Sequence, residues 1–219
     1  MNNYFNILSQ SPLFNNINTH ELASLLPCLN SKILSYKKNE FVYQAGENIS
    51  SIGMVLSGSV HIIKEDFWGN QSILTKIPVG NLFGETYACT KSQKLGVSII
   101  TTEPTEIIFL NVKCIMTTCS STCEFHTRLI QNFLSVLAGK NLMLTKKIEH
   151  MSQRSTRDKL LSYLSSESQR QKSSSFDIPF NRQQLADYLS VDRSAMSNEL
   201  CKLRDEGILT FNKNTFHLK

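Results

Sequence analysis

Arg193, Ser194, Ser197 and Asn198 fall within one short stretch, spaced so that a single helix face would present them in its first turns. These side chains carry directional hydrogen-bond chemistry: Arg pairs bidentately with guanine, Asn with adenine, and Ser with base edges or phosphate. Lys202 and Lys213 add positive charge suited to phosphate. A second set has metal-binding chemistry. Cys114, Cys119, Cys123 and His126 are separated by four, three and two residues, an arrangement open to a metal ion or an iron–sulfur centre. The same thiols also read as small buried packing residues among Ile115-Met-Thr-Thr118 and Ser120-Ser-Thr122, and the absence of any C-x-x-C pair favours that reading. Reversible disulfide switching stays open. Cys28 and Cys201 read as packing residues.

The elements that must position the polar cluster follow from apolar spacing. Leu185 and Leu189, four apart, predict a short helix capped by Asn181, with Gln184 as its reciprocal partner. Ser190 and Val191 supply a turn, and Asp192 caps a second helix in which Met196, Leu200 and Leu203 recur until Gly207 ends the run. Those apolar residues claim one face. Arg193, Ser194, Ser197 and Asn198 are left on the other, as on a recognition helix entering the major groove. Ile208 to Phe211 and Thr215 to Leu218 predict two strands joined by Asn212-Lys213-Asn214, a wing with Lys213 at its tip. Phe176 to Phe180 predicts a strand leading in. Ser155-Thr-Arg-Asp158 predicts a capping box opening a short helix through Leu164, and the polar stretch Ser165 to Ser175 predicts a mobile loop.

Upstream, a long helix is expected from about Glu124 to Met151. Ile130, Leu134, Leu137, Asn141, Leu144, Ile148 and Met151 alternate steps of four and three, the pattern of a coiled-coil seam. Asn141 at an interior seam position costs stability but fixes register and a two-stranded state, so pairing with a second copy is expected. The competing arrangement is one helix lying alone on the preceding domain. That domain is punctuated by Gly46, Gly53, Gly58, Gly69, Gly80, Gly84 and Gly96 between runs such as Ser59-Val-His-Ile-Ile63 and Val97-Ser-Ile-Ile-Thr101. Glycine turns between alternating strands predict an antiparallel barrel or roll, with short helices from Ser11 to Leu29 packed against it. The chain thus divides into a β-roll over 1–123, a dimerisation helix over 124–151 and a winged helix-turn-helix over 152–219, an α+β protein.

Composition narrows the function classes. The 219 residues, 41% hydrophobic, suffice for two modest cores, and a net charge of +5 permits a polyanionic partner without demanding one. The six cysteines are unevenly placed, unlike a secreted disulfide framework. Met1-Asn-Asn-Tyr-Phe-Asn lacks a basic start and apolar run, and no stretch approaches membrane-spanning length, so a reduced cytoplasmic protein with no membrane association is expected. Catalysis is not expected. His61 is the one histidine of the glycine-punctuated region, and there is no H-x-H pair, P-loop, G-x-S-x-G or dinucleotide fingerprint.

Five features share an order and spacing with a known family: Phe41-x-x-x-x-Gly46, Val55-x-x-Gly58-x-Val60, Leu82-Phe-Gly-Glu-Thr86, the seam helix, and the helix-turn-helix from Arg182 to Leu203. Across nearly its whole length the chain resembles the Crp/Fnr transcription factors, the family of the cyclic-AMP receptor protein and the fumarate and nitrate reductase regulator. The resemblance implies a homodimer whose jelly roll, of the cyclic-nucleotide-binding type, senses a small-molecule effector. Its winged domains would bind a palindromic operator in double-stranded DNA, with RNA polymerase as a further partner. An effector pocket would draw on Gly84, Glu85, Thr86, Leu95 and Gly96 of the roll and on Lys140 and Asn141 of the helix.

Two departures matter. In cyclic-nucleotide-binding members an Arg-Ser or Arg-Thr pair some ten residues after the Gly-Glu holds the phosphate; here Leu95 and Gly96 stand there. A buried phosphate without a cation is costly, on the order of several kcal/mol, so cyclic AMP is not expected as the effector and no cofactor is assigned. On the recognition helix Ser194 and Asn198 replace the family's frequent Glu and Arg, which predicts a half-site less dependent on guanine. The amino-terminal cysteine cluster of the oxygen-sensing relatives is also missing.

Overall fold

The strands of the amino-terminal unit serve two cores at once. In the computed structural model the structure is described for residues 2–68, 71–90, 93–117 and 124–219, and contacts divide the chain into units Met1–Leu137 and Ala138–Lys219. In the first unit β1 (Lys32–Tyr36), β3 (Ser51–Ser57), β6 (Leu82–Phe83) and β8 (Thr105–Asn111) form an antiparallel sheet in the order β1-β8-β3-β6. A second antiparallel sheet joins β2 (Phe41–Tyr43), β4 (Val60–Glu65), β5 (Gln71–Ile77) and β7 (Ser98–Thr101) in the order β2-β7-β4-β5. Successive side chains of a strand point to opposite faces. Ile52, Met54 and Leu56 of β3 and Ile108 and Leu110 of β8 therefore face the helices, while Val55, Ile107 and Phe109 fill the roll interior with Val60, Phe83 and Ile99.

The helices covering the outer face are α1 (Asn2–Gln10) and α2 (Thr19–Cys28), with a single 3-10 turn at Pro12–Phe14 between them. They bury Leu8, Leu13, Phe14, Leu22 and Leu25. A reciprocal capping box between Asn18 and Glu21 starts α2. The helical region thus begins nine residues earlier than Ser11, where sequence spacing placed it, because α1 opens on asparagines that carry no helix signal of their own. After the short α3 (Glu85–Cys89) and α4 (Val112–Met116), α5 runs unbroken over Glu124–Met151, as the seam periodicity predicts. Its start is fastened to the roll unit. Leu129 and Phe133 are fully buried, Arg128 pairs with Glu21, and Asn132 donates to the carbonyls of Leu13 and Asn15 at 3.1 and 2.7 Å.

The second unit holds α6 (Thr156–Gln171), α7 (Arg182–Leu189), α8 (Arg193–Asp205) and the strands β9 (Ser175–Asp177), β10 (Leu209–Asn212) and β11 (Thr215–Leu218), ordered β10-β11-β9. Leu160, Tyr163, Leu164, Leu185, Leu189, Met196, Leu200, Leu203 and Phe216 form its core. Here the structure corrects an expectation. Residues 165–171 are not a mobile loop but the second half of α6, which ends only where Lys172 turns left-handed at φ 50°. Glu167, Gln169, Arg170 and Gln171 are good helix formers, and Arg170 pairs with Glu167 at 2.6 Å. The Ser155 cap is also simpler than a capping box: its hydroxyl accepts from the Asp158 amide and donates to the Asp158 carboxylate. No described helix is long and apolar enough to cross a membrane.

Candidate nucleic-acid interface

Local hydrogen bonds fix the phase of α7 and α8. Asn181 and Gln184 cap each other reciprocally at 2.9 Å, and Asp192 accepts from the Ala195 amide at 2.8 Å. Between the helices Ser190 takes a left-handed conformation, φ 51° and ψ 58°, while the amides of Ser190 and Val191 donate back to Asp187 and Ala186. A serine here carries strain that glycine would not. At the far end the amides of Gly207 and Ile208 donate to Arg204 and Leu203, closing α8 in the same way.

Because Met196, Leu200 and Leu203 are buried, the opposite face of α8 is fixed. It exposes Arg193, Ser194 and Asn198. Ser197 is half-buried and donates its hydroxyl to the Arg193 carbonyl at 2.9 Å, so its one donor is already engaged on the helix. Lys202 is exposed but lies 3.3 Å from the Glu199 carboxylate. Lys213 occupies the turn between β10 and β11 at φ 48°, exposed. Strand β9 adds a third member to the two-stranded wing that spacing predicts, pairing Phe176 with Phe216.

Two supporting residues were not evident from the sequence. Arg157 of α6 bonds both Glu199, at 3.2 Å, and Glu206, bracing α8 from behind; the pairing holds Arg157 above and Glu206 below their usual ranges. Arg182 lies over the Phe211 and Phe216 rings at 4.9 and 5.1 Å, tying α7 to the wing, and burial lowers its pKa. Both contacts join residues about 29 or more positions apart, beyond any local pattern.

In the roll unit, Gly84 turns left-handed at φ 81° immediately before α3, whose first residue, Glu85, is buried; Thr86 is exposed. Tyr43 and Ile49 crowd the Gly84 turn, and burial pushes Tyr43 up to about 12. Leu95 is buried, its carbonyl and amide bonded to Gly46 and Glu47 at 2.7 and 2.9 Å, and Gly96 lies against the Tyr87 hydroxyl. At Leu95, the position where the resemblance would place a nucleotide binder's cation, the structure has a packed aliphatic side chain. Lys140 is half-buried and Asn141 exposed, both in the second unit. Of the cysteine set, Cys119 and Cys123 lie outside the described residues, Cys114 is a half-buried free thiol, and His126 is buried. Among the described residues no three His, Cys, Asp or Glu side chains converge on a metal-sized site.

Comparison with known proteins decides what this assembly is. The model of the cyclic nucleotide-binding domain matches residues 33–122, and that of the Crp-like helix-turn-helix domain matches residues 158–219. The chain belongs to the Crp/Fnr family of transcriptional regulators. As a Crp/Fnr regulator it binds DNA through its carboxy-terminal unit and carries a sensor domain at its amino terminus. Its fold is shared with CprK complexed with OCPA, at 16% identity over 90% of this chain and 88% of that one, TM-score 0.65. It is shared also with the c-di-GMP-responsive global regulator CLP of Xanthomonas campestris, at 21% identity over 90% and 98%, TM-score 0.55. The catabolite activator protein of Thermus thermophilus is similar at 21% identity over 95% and 94%, TM-score 0.50. No curated protein sequence is similar enough to this chain to register as a relative.

Proposed function

We propose that this regulator acts in the cytoplasm as a homodimer, pairing through α5 and reading a palindromic operator with one α8 per half-site. The observation that carries the dimer is the state of the seam: Leu134, Leu144 and Ile148 are 51, 61 and 66% exposed on the single chain. Large apolar side chains in a row at steps of four and three need a partner. Leu137, by contrast, also packs against the roll core, so the seam is shared between the two jobs at that point. Exposed Asn141 would meet its counterpart and hold the pair in register. Arg193 and Asn198 would read bases, Ser194 would assist, and Lys202 and Lys213 would hold phosphate; Ser197 would join them by turning its hydroxyl from the Arg193 carbonyl to a phosphate oxygen. RNA polymerase is the expected downstream partner.

The effector is not a cyclic nucleotide on this reading, because Leu95 offers the phosphate no charge. A signal at the roll, through Gly84, Glu85, Thr86, Leu95 and Gly96, would reach Lys140 and Asn141 by shifting the population of helix arrangements. Sedimentation tests the dimer directly. The wild-type chain should run at about twice its 24.8 kDa, and Leu144→Glu or Ile148→Glu should run as monomer with operator affinity lost in parallel. A wild-type monomer that binds operator at full affinity would refute it.

A further inference from the structure

We propose that Glu199 is an internal stand-in for a DNA phosphate: pinned by Arg157, it holds Lys202 in the free protein and so sets how firmly the regulator grips any duplex. The inference rests on the reading of Lys202 as a phosphate contact and deepens it. Glu199 gives each carboxylate oxygen to a different cation. Oε1 accepts from Nη1 of Arg157 at 3.2 Å, and Oε2 accepts from Nζ of Lys202 at 3.3 Å. The two cations are held very differently. Arg157 belongs to α6 and also donates to both carboxylate oxygens of Glu206, so Glu206 is committed to it and Arg157 is tied to α8 at two points. Lys202 shares a helix with Glu199 at a spacing of three, and its side chain is 67% exposed against 31% for Arg157. Exposed pairs of that kind are weak. A phosphate oxygen offers the ammonium the same charge-assisted bond, so Lys202 can leave while Arg157 keeps Glu199 where it is.

Lys213 supplies the contrast within the same unit. It is exposed in the turn between β10 and β11 and bonds no carboxylate among the described residues. Docking such a lysine on a phosphate releases a condensed counterion outright. Lys202 cannot do the same, because its departure uncovers a fixed carboxylate on the DNA-binding helix, which repels the phosphates and draws a cation back. The net ion release from Lys202 is therefore small, and with it the sequence-independent affinity it contributes. Phosphate contacts carry no sequence information of their own. A regulator that grips every duplex less firmly leaves more of the discrimination to Arg193 and Asn198, an arrangement in which a repulsive group serves specificity.

The test is a double-mutant cycle on the full-length protein, read by titration of a random-sequence duplex over a series of salt concentrations, with Lys213→Ala alongside. Lys202→Gln alone should change the salt slope by well under one unit, against about one unit for Lys213→Ala. Glu199→Gln should tighten binding roughly two- to fivefold at low salt and steepen the slope by about one unit. Adding Lys202→Gln to Glu199→Gln should abolish both gains. The glutamine keeps an acceptor for Arg157, and the Arg157–Glu206 pair is untouched, so the fold is preserved; a purely structural role for Glu199 would move the unfolding midpoint and leave the salt slope alone. A gain from Glu199→Gln that survives the loss of Lys202 overturns the proposal, as does a Lys202→Gln that flattens the slope as much as Lys213→Ala while Glu199 is present; in the second case Lys202 still stands as a phosphate contact. Silence of Lys202→Gln in both backgrounds removes Lys202 from the interface, so the underlying reading fails and the proposal with it.

Discussion

The two units position their working residues in opposite ways. In the carboxy-terminal unit the base-reading candidates share one helix, and the caps at Asn181 and Asp192, the turn at Ser190 and the stop at Gly207 all lie within the same stretch of chain. In the roll, the Gly84 turn meets Tyr43 and Ile49, Tyr87 of the following α3 meets Gly96, and Leu95 is tied to Gly46 and Glu47, all from separate strands and loops. Local geometry sets the first site, and long-range pairing sets the second. Changes in the roll should therefore propagate through its sheets, whereas changes on α8 should stay where they are made.

The sharpest way to break this contrast is Gly58→Ala. Gly58 sits at φ 75°, and a Cβ there would come 2.5 Å from both the Pro104 carbonyl and the Thr105 hydroxyl. A loss of ~3 kcal/mol or more is expected. Hydrogen exchange should quicken across β3, β4 and β8 and spare α6 to α8; equal quickening in both units would contradict their independence. Next in size is Arg193→Ala, which should cost about 1–3 kcal/mol of operator affinity and relax selection at one base pair. Lys213→Ala should instead weaken all duplexes alike and flatten the salt dependence by about one unit of slope. Titrations against a panel of operator variants distinguish the two.

Smaller again is Ser190→Gly, which relieves a left-handed serine and should stabilise the carboxy-terminal unit by about 1 kcal/mol in denaturant unfolding. The smallest expected effect is a pH dependence. His150, near the end of α5, is buried against Tyr163 and Tyr188, with Nδ1 2.8 Å from the Ser162 hydroxyl. Burial lowers its pKa; Lys146 lowers it further, and Glu149 and Glu167 oppose the shift. The folded unit therefore keeps the ring neutral while the unfolded chain takes up a proton near the ordinary value of about 6.5. Stability is full above that value and declines as pH falls below it. His150→Gln should flatten that part of the stability profile.

How much was legible follows from the same division. The helix-turn-helix, its caps and the full extent of α5 could be read from spacing, because capping and periodicity are local. The second half of α6 could not. Ser165, Ser166 and Ser168 look like loop, and only the buried Leu160, Tyr163 and Leu164 and the Arg170–Glu167 pair explain the helix beneath them. Arg157 and Arg182 were invisible for another reason: their partners are remote in sequence. In the roll the strands were recognisable, but which core each side chain joins was not. β3 is buried on both faces, so its apolar run gives no alternation to read.

The most direct measurement of the central claim is selection from random duplex DNA by the purified, reduced, full-length protein at moderate salt. A dimer presenting one α8 to each half-site predicts an enriched inverted repeat, with half-site centres about 10 base pairs apart and an adenine preference that Asn198→Arg converts toward guanine. Retention of a single unrepeated half-site, or a sequence that Asn198→Arg leaves unchanged, would contradict it.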